Sequence, residues 1–113
     1  MPYAVRVRTG SEEGELYPLF ENREITIGRS PTNNIFVRDR NVSRVHCQIV
    51  VSNGTATLTD LQSTNGTFVN NERATECVLK VNDLIRVGTT LLELEEADKQ
   101  KRVIPDTDTM VTE

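Results

Sequence analysis

The sequence predicts an all-β domain, a sandwich or barrel of short antiparallel strands. Three observations carry that expectation. Apolar and polar residues alternate with a period of two along most of the chain. Asparagine-rich turn signals break the alternation at short intervals. Hydrophobics make up 36% and aromatics only 4%, which is the material of an aliphatic core. At 113 residues the chain has room for one ordinary domain.

The elements follow in order. Val5 and Val7 alternate with Arg6 and Arg8 in a strand over 3–9, and a second spans 16–19. Ile25 and Ile27 flank Thr26 in a strand over 24–28, and 35–37 is a short one. Val45, Cys47, Ile49 and Val51 share one face of a strand over 45–51. Asn53-Gly54 is a strong two-residue hairpin signal, and it leads into 55–60, where Leu58 sits between threonines. Asn65-Gly66 is a turn before 67–69, and Asn70-Asn71 is a weaker hairpin signal before 75–79. After the Asn82-Asp83 turn, Ile85 and Val87 alternate with Arg86 over 84–87, and Leu92 and Leu94 with Glu93 over 89–94. The charged stretch from Glu95 to Arg102 could make a short helix. We divide the chain into a domain over 1–96 and a flexible, acidic, threonine-containing tail over 97–113, mostly disordered.

Composition excludes several classes. Thirteen Lys and Arg stand against seventeen Asp and Glu, a net charge of −4 that argues against a nonspecific nucleic-acid binder. The tail carries much of that charge, so residues 1–94 are close to neutral. Within them Arg29, Arg38, Arg40 and Arg44 crowd one segment against the single acid Asp39, which suits a small anionic ligand better than a polymer. No apolar run approaches the ~20 residues of a membrane span, and no signal peptide is visible after Met1. The expectation is a cytoplasmic protein. Cys47 and Cys77 read as small hydrophobes of a reducing compartment rather than a disulfide. One histidine, His46, and no second Cys/His cluster leave a zinc site without ligands, so no metal and no cofactor is expected.

Three loop segments hold the chemistry: Gly28-Arg29-Ser30-Pro31, Ser43-Arg44-Val45-His46, and Ser63-Thr64-Asn65-Gly66-Thr67 with Asn70 beyond it. Arg29 offers a planar fork of donors suited to a phosphate. Ser43 and Thr64 add hydroxyls and Arg44 a second cation. The Asn65 amide can pair with a peptide backbone in both directions. The set holds no nucleophile–base pair, so no catalytic residue is expected. A second histidine, a Gly-x-x-x-x-Gly-Lys phosphate loop and clustered metal-binding carboxylates are all missing from the sequence.

These residues, in this order, resemble the forkhead-associated (FHA) domain. The matching pieces are Gly28-Arg29-Ser30, Asn33-Asn34-Ile35, Val42 through His46, Asp60 through Asn70, and Leu79 through Gly88. The resemblance runs from about residue 3 to 94. It implies an antiparallel β-sandwich of about eleven short strands, the FHA/SMAD-like fold, that binds phosphothreonine peptides through loops at one end. Carried over by position, Arg29 and Ser43 contact the phosphate, Arg44 and Thr64 assist, and Asn65 pairs with the peptide backbone. Asn41 falls where the family often reads the third residue after the phosphothreonine, and its neutrality argues against an acidic preference there. Gly28, His46, Gly66 and Asn70 are assigned to structural support. Asn34, Asn71 and Asn82 depart from the family's usual residues at turn positions, where Asn tolerates positive φ.

The resulting expectation is a monomeric, non-enzymatic module for phosphothreonine-dependent protein–protein interaction in Ser/Thr kinase signalling. Its partner is a phosphothreonine-containing protein, with no nucleic acid and no membrane. Two alternatives stand beside it. One is an interaction domain of the same fold that ignores phosphorylation. The other is a module occupied by its own tail, phosphorylated at Thr107 or Thr109.

Overall fold

The computed structural model describes residues 3–97. They form eleven strands: β1 (Tyr3–Val7), β2 (Leu16–Leu19), β3 (Glu24–Gly28), β4 (Ile35–Phe36), β5 (Cys47–Ser52), β6 (Thr55–Asp60), β7 (Thr67–Val69), β8 (Glu72–Ala74), β9 (Glu76–Leu79), β10 (Leu84–Val87) and β11 (Thr90–Glu96). One sheet has the order β2-β1-β11-β10-β7-β8 and the other β4-β3-β5-β6-β9. Every strand pair is antiparallel except β3 with β4, which run parallel.

The alternation in the sequence becomes an inside and an outside. Cys47, Ile49 and Val51 of β5 are buried, as are Ile85 and Val87 of β10 and Leu92 and Leu94 of β11. The two inner faces share one aliphatic core, with Ile27, Ile35, Ile49, Leu58, Ile85, Leu92 and Leu94 fully buried. Each such side chain contributes roughly 1.5–3 kcal/mol by leaving water. Both two-residue hairpins take positive φ at both central residues: Asn53 (54°) with Gly54 (76°), and Asn70 (51°) with Asn71 (72°). That is the backbone a tight hairpin needs to match strand twist. Asn82 also takes positive φ, at 81°. Asn34 is not among the positive-φ residues. Its Oδ1 instead accepts from the Thr26 backbone N–H at 2.9 Å.

Several expected elements shift. Val45 does not share the inner face of β5; it is 43% exposed, because the chain from Ser43 to His46 is drawn into a turn and the ladder begins at Cys47. β8 was not anticipated. Glu72-Arg73-Ala74 is an edge strand with no buried residue, so it shows no apolar alternation. Glu95 and Glu96 extend β11 and the helical conformation is taken up only at Ala97: the two glutamates pair with Ala4 and Tyr3, and Glu95 accepts from Arg6 Nε at 3.1 Å. The expectations for the tail beyond residue 97 lie outside the described residues. Both cysteines are free, Cys47 buried and Cys77 partly exposed. Burial pushes the Cys47 thiol up to about 12.

Register brings four connections to one end of the sandwich. Ile27 pairs with Cys47 and Cys47 with Asp60, so the segments after β3, before β5 and after β6 meet. In the other sheet Val87 pairs with both Thr67 and Thr90, which places the β10–β11 turn beside the start of β7.

Candidate functional site

The segment after β3 lies against the segment before β5, backbone to backbone. Arg29 N–H donates to Ser43 O at 3.0 Å and Ser30 N–H to Arg44 O at 3.1 Å. Asn33 is buried and its Nδ2 donates to Ser30 O at 2.7 Å and Arg44 O at 2.6 Å. Gly28 permits this approach. A Cβ there would sit 2.2 Å from Arg44 O and 2.7 Å from Asn33 Nδ2.

His46 joins the second segment to the third. It is fully buried. Its Nδ1 accepts from the Ser43 backbone N–H at 3.1 Å, and its Nε2 lies 2.9 Å from Gly66 O. With Nδ1 as acceptor, the ring carries its proton on Nε2 and donates it to Gly66 O. Asp60 anchors the third segment: its carboxylate accepts from Ser63 N–H, the Ser63 hydroxyl and the buried Thr67 hydroxyl. Burial works to raise the Asp60 carboxyl, but the hydrogen bonds from Ser63 and Thr67 outweigh it and hold it below the ordinary carboxylate value.

On this frame stand the polar side chains of the rim. The Ser43 hydroxyl oxygen accepts from Thr64 N–H at 3.0 Å, which leaves its own proton to donate outward. Arg29 is exposed and anchored by Nε, which donates to Val42 O at 3.0 Å. Its two terminal nitrogens remain for a guest. Arg44 is exposed. Among the described residues neither Arg29 nor Arg44 pairs with a carboxylate, whereas Arg6, Arg8 and Arg38 all do. Thr64 and Asn65 are exposed, and Asn65 Nδ2 donates to Asn41 O at 2.9 Å. The structure therefore brings Arg29, Ser43, Thr64, Asn65 and Asn41 to one linked set of loops, with Gly28, His46 and Gly66 beneath them. Asn70 sits elsewhere. It follows β7, at the end away from Gly66, and ties the β7–β8 turn to the start of β10 through Asp83 and Leu84. Its support is to the far end of the strand, not to the loops of the site.

A hollow of about 200 Å³ opens beside Asn65, lined by Asn41, Asn65, Gly66, Phe68, Arg86, Gly88 and Thr89. A wider groove of about 510 Å³ runs along the edge strands β8 and β9. Its charged residues, Glu72, Arg73, Glu76, Lys80 and Asp83, mix both signs, so it is less suited to an anion than the loop rim. Among the described residues no group of His, Cys, Asp and Glu could hold a metal ion. No helix among them is long and apolar enough to cross a membrane.

The FHA domain model matches residues 25–88, which takes in all three loop segments. The chain belongs to the FHA domain family. An FHA domain solved in a study of phosphothreonine-dependent FHA domain interactions superposes with a TM-score of 0.78 at 35% identity, covering 84% of this chain and 96% of that one. An oxoglutarate dehydrogenase inhibitor of Corynebacterium efficiens is 35% identical over 82 residues, 73% of this chain and 57% of its own length. The glycogen accumulation regulator GarA of Mycobacterium tuberculosis is 32% identical over 94 residues, 83% of this chain and 57% of its own. This chain thus spans little more than half of those relatives, which are named as an inhibitor and a regulator.

Two residues that brace these loops of the FHA domain, and one that only lines the neighbouring hollow, escaped sequence reading. Asp60 stood in a recognised segment without a role. Asp39 is buried: its Oδ1 accepts from Asn41 N–H at 2.9 Å, and its Oδ2 from Thr89 N–H and Oγ1 at 2.8 Å and Thr90 Oγ1 at 2.9 Å. It locks the Asn41 loop to the β10–β11 turn. Burial acts to raise its carboxyl too, and the four hydrogen bonds bring it below the ordinary value. Arg86 was the third; nothing local in Ile85-Arg86-Val87 marks it as facing the hollow.

Proposed function

We propose that this FHA domain is a non-enzymatic receptor for phosphothreonine-containing segments of partner proteins in Ser/Thr kinase signalling. The single observation that carries the reading is the state of the rim: two arginines without carboxylate partners among the described residues flank a serine hydroxyl that already accepts from Thr64 N–H. Such a rim presents donors and positive charge and little that would repel an anion. A phosphothreonine brings roughly −1.5 to −2 charges and three acceptor oxygens. Arg29 and Ser43 take the phosphate oxygens, with Arg44 and Thr64 assisting. Asn65 exchanges its bond to Asn41 O for the backbone of the guest, and Asn41 stands beside the residues that follow.

Threonine is preferred over serine to the extent that its methyl is buried, about 0.8 kcal/mol by transfer alone. A charge-assisted hydrogen bond contributes roughly 1.5–3 kcal/mol, so Arg29→Ala weakens binding by at least about tenfold. The experiment is calorimetric titration of one peptide in phosphothreonine, phosphoserine and unmodified forms against wild type and Arg29→Ala. The expected order is phosphothreonine tightest, unmodified absent, and Arg29→Ala weak throughout. Equal affinity for phosphorylated and plain peptide would favour a phosphorylation-independent interaction surface and overturn the proposal.

A further inference from the structure

The outward face of the larger sheet carries a row that runs across three strands. Arg86 of β10 pairs in register with Phe68 of β7, and Phe68 with Arg73 of β8. The Arg86 guanidinium carbon lies 4.2 Å from the centroid of the Phe68 ring. Stacking of this kind uses the flat face of the guanidinium and leaves its edge N–H groups free. No carboxylate takes them: the ion pairs of the described residues involve Arg6, Arg8 and Arg38 only. The acids on the same face are engaged elsewhere. Glu93, opposite Leu84 and so diagonal to Arg86, is held by Arg8, and Glu95 by Arg6. Arg86 is thus partly buried, stacked and unneutralised by any described carboxylate.

Its position gives it a use. The stacked pair Arg86 and Phe68 and the hydrogen-bonded pair Asn41 and Asn65 all line the 200 Å³ hollow. Resting on the phosphothreonine reading above, the geometry points to Arg86 as a specificity-determining residue that reads a carboxylate side chain of the same bound peptide. The chain of the guest is held at Asn65, and one of its Asp or Glu side chains enters the hollow and takes the free edge of the guanidinium in a two-point contact. The sequence alone pointed the other way, because neutral Asn41 was the only residue assigned to this reading. The charge comes from Arg86, which lines the same hollow. Arg73 lies on the far side of Phe68, over Gly66, and does not line the hollow.

The test is a set of phosphothreonine peptides in which a single Asp or Glu is moved through each flanking position in an otherwise neutral sequence. Wild type is expected to show one position where the acid tightens binding by about fivefold, the range of a well-aligned, partly exposed pair. Arg86→Gln is expected to abolish that preference and leave affinity for the acid-free phosphopeptide unchanged, which also establishes that the variant folds. Arg86→Lys keeps the charge and loses the fork, and retains only part of the preference. Arg73→Gln makes the same change of net charge on the same face and keeps the preference whole. Phosphate-dependent binding with no acid-sensitive position would overturn this inference and leave the phosphothreonine reading intact. An acid preference that survives Arg86→Gln, or that Arg73→Gln erases equally, would overturn it as well. Binding that ignores phosphate would remove the reading on which it rests.

Discussion

Replacing His46 separates hydrogen bonding from packing where the site loops join. The ring is fully buried and connects Ser43 N–H, at 3.1 Å, to Gly66 O, at 2.9 Å. His46→Leu keeps most of the volume and removes both polar atoms. Two backbone groups then lose their partners, and a buried unsatisfied group costs roughly 1–3 kcal/mol. Leucine regains part of that through apolar contact, so the expected net loss is about 2–4 kcal/mol. His46→Ala adds a cavity and costs about 1–2 kcal/mol more. Against a usual domain stability of ~5–15 kcal/mol, both changes are large. The assay is urea unfolding followed by far-UV circular dichroism, with phosphopeptide titration on the folded variants. Because Ser43 and Gly66 flank the rim, His46→Leu is expected to weaken the peptide as well as the fold. If His46→Leu unfolds within about 0.5 kcal/mol of wild type and binds peptide unchanged, the ring is a core filler and the reasoning fails.

Three further outcomes follow from the same geometry. Gly28→Ala places a methyl where Arg44 O already lies 2.2 Å away, so the two backbones must part; the expected loss is ~2–4 kcal/mol with weaker peptide binding, read by unfolding and titration together. Asn70→Ala loses the contacts to Asp83 and to Leu84 N–H and puts a strained residue at φ 51°; it is expected to cost ~2–3 kcal/mol and to leave peptide affinity unaltered, since the residue lies away from the rim. Asp39 and Asp60 titrate lower folded than unfolded, because their hydrogen bonds override the upward push of burial. Their stabilisation is therefore complete above the unfolded value of 3.8 and drains away as pH falls through the lower folded values. Asp39→Asn should flatten part of that acid limb in unfolding measured across pH, and an unchanged limb would argue against the role given to Asp39.

Much of this domain was legible because its signals are local. A period of two marks any strand with one buried face, and Asn53-Gly54 names its own turn. The rim was legible because Arg29, Ser43, Thr64 and Asn65 each sit in a short segment of recognisable order. What stayed hidden depends on partners remote in sequence. β8 is an edge with nothing buried, so its Glu72-Arg73-Ala74 carries no pattern. Val45 fits the alternation of its neighbours, and only the His46 turn expels it. Asp39 finds Thr89 and Thr90 fifty and fifty-one residues away, and Arg86 finds Phe68 across a strand boundary. The parallel contact of β3 with β4 is two residue pairs long, too brief to announce itself.

The hydrogen bond from Asn65 to Asn41 O has a bearing on selectivity. One N–H of the amide already has a partner, so under the phosphothreonine proposal an incoming carbonyl that takes this N–H replaces a bond and adds little net attraction there. A visitor unable to supply the replacement leaves the old bond in place and forfeits the contact. Under that proposal Asn65 would reject mismatched guests more than tighten the grip on suitable ones, and tightness would be left to the guanidinium groups nearby.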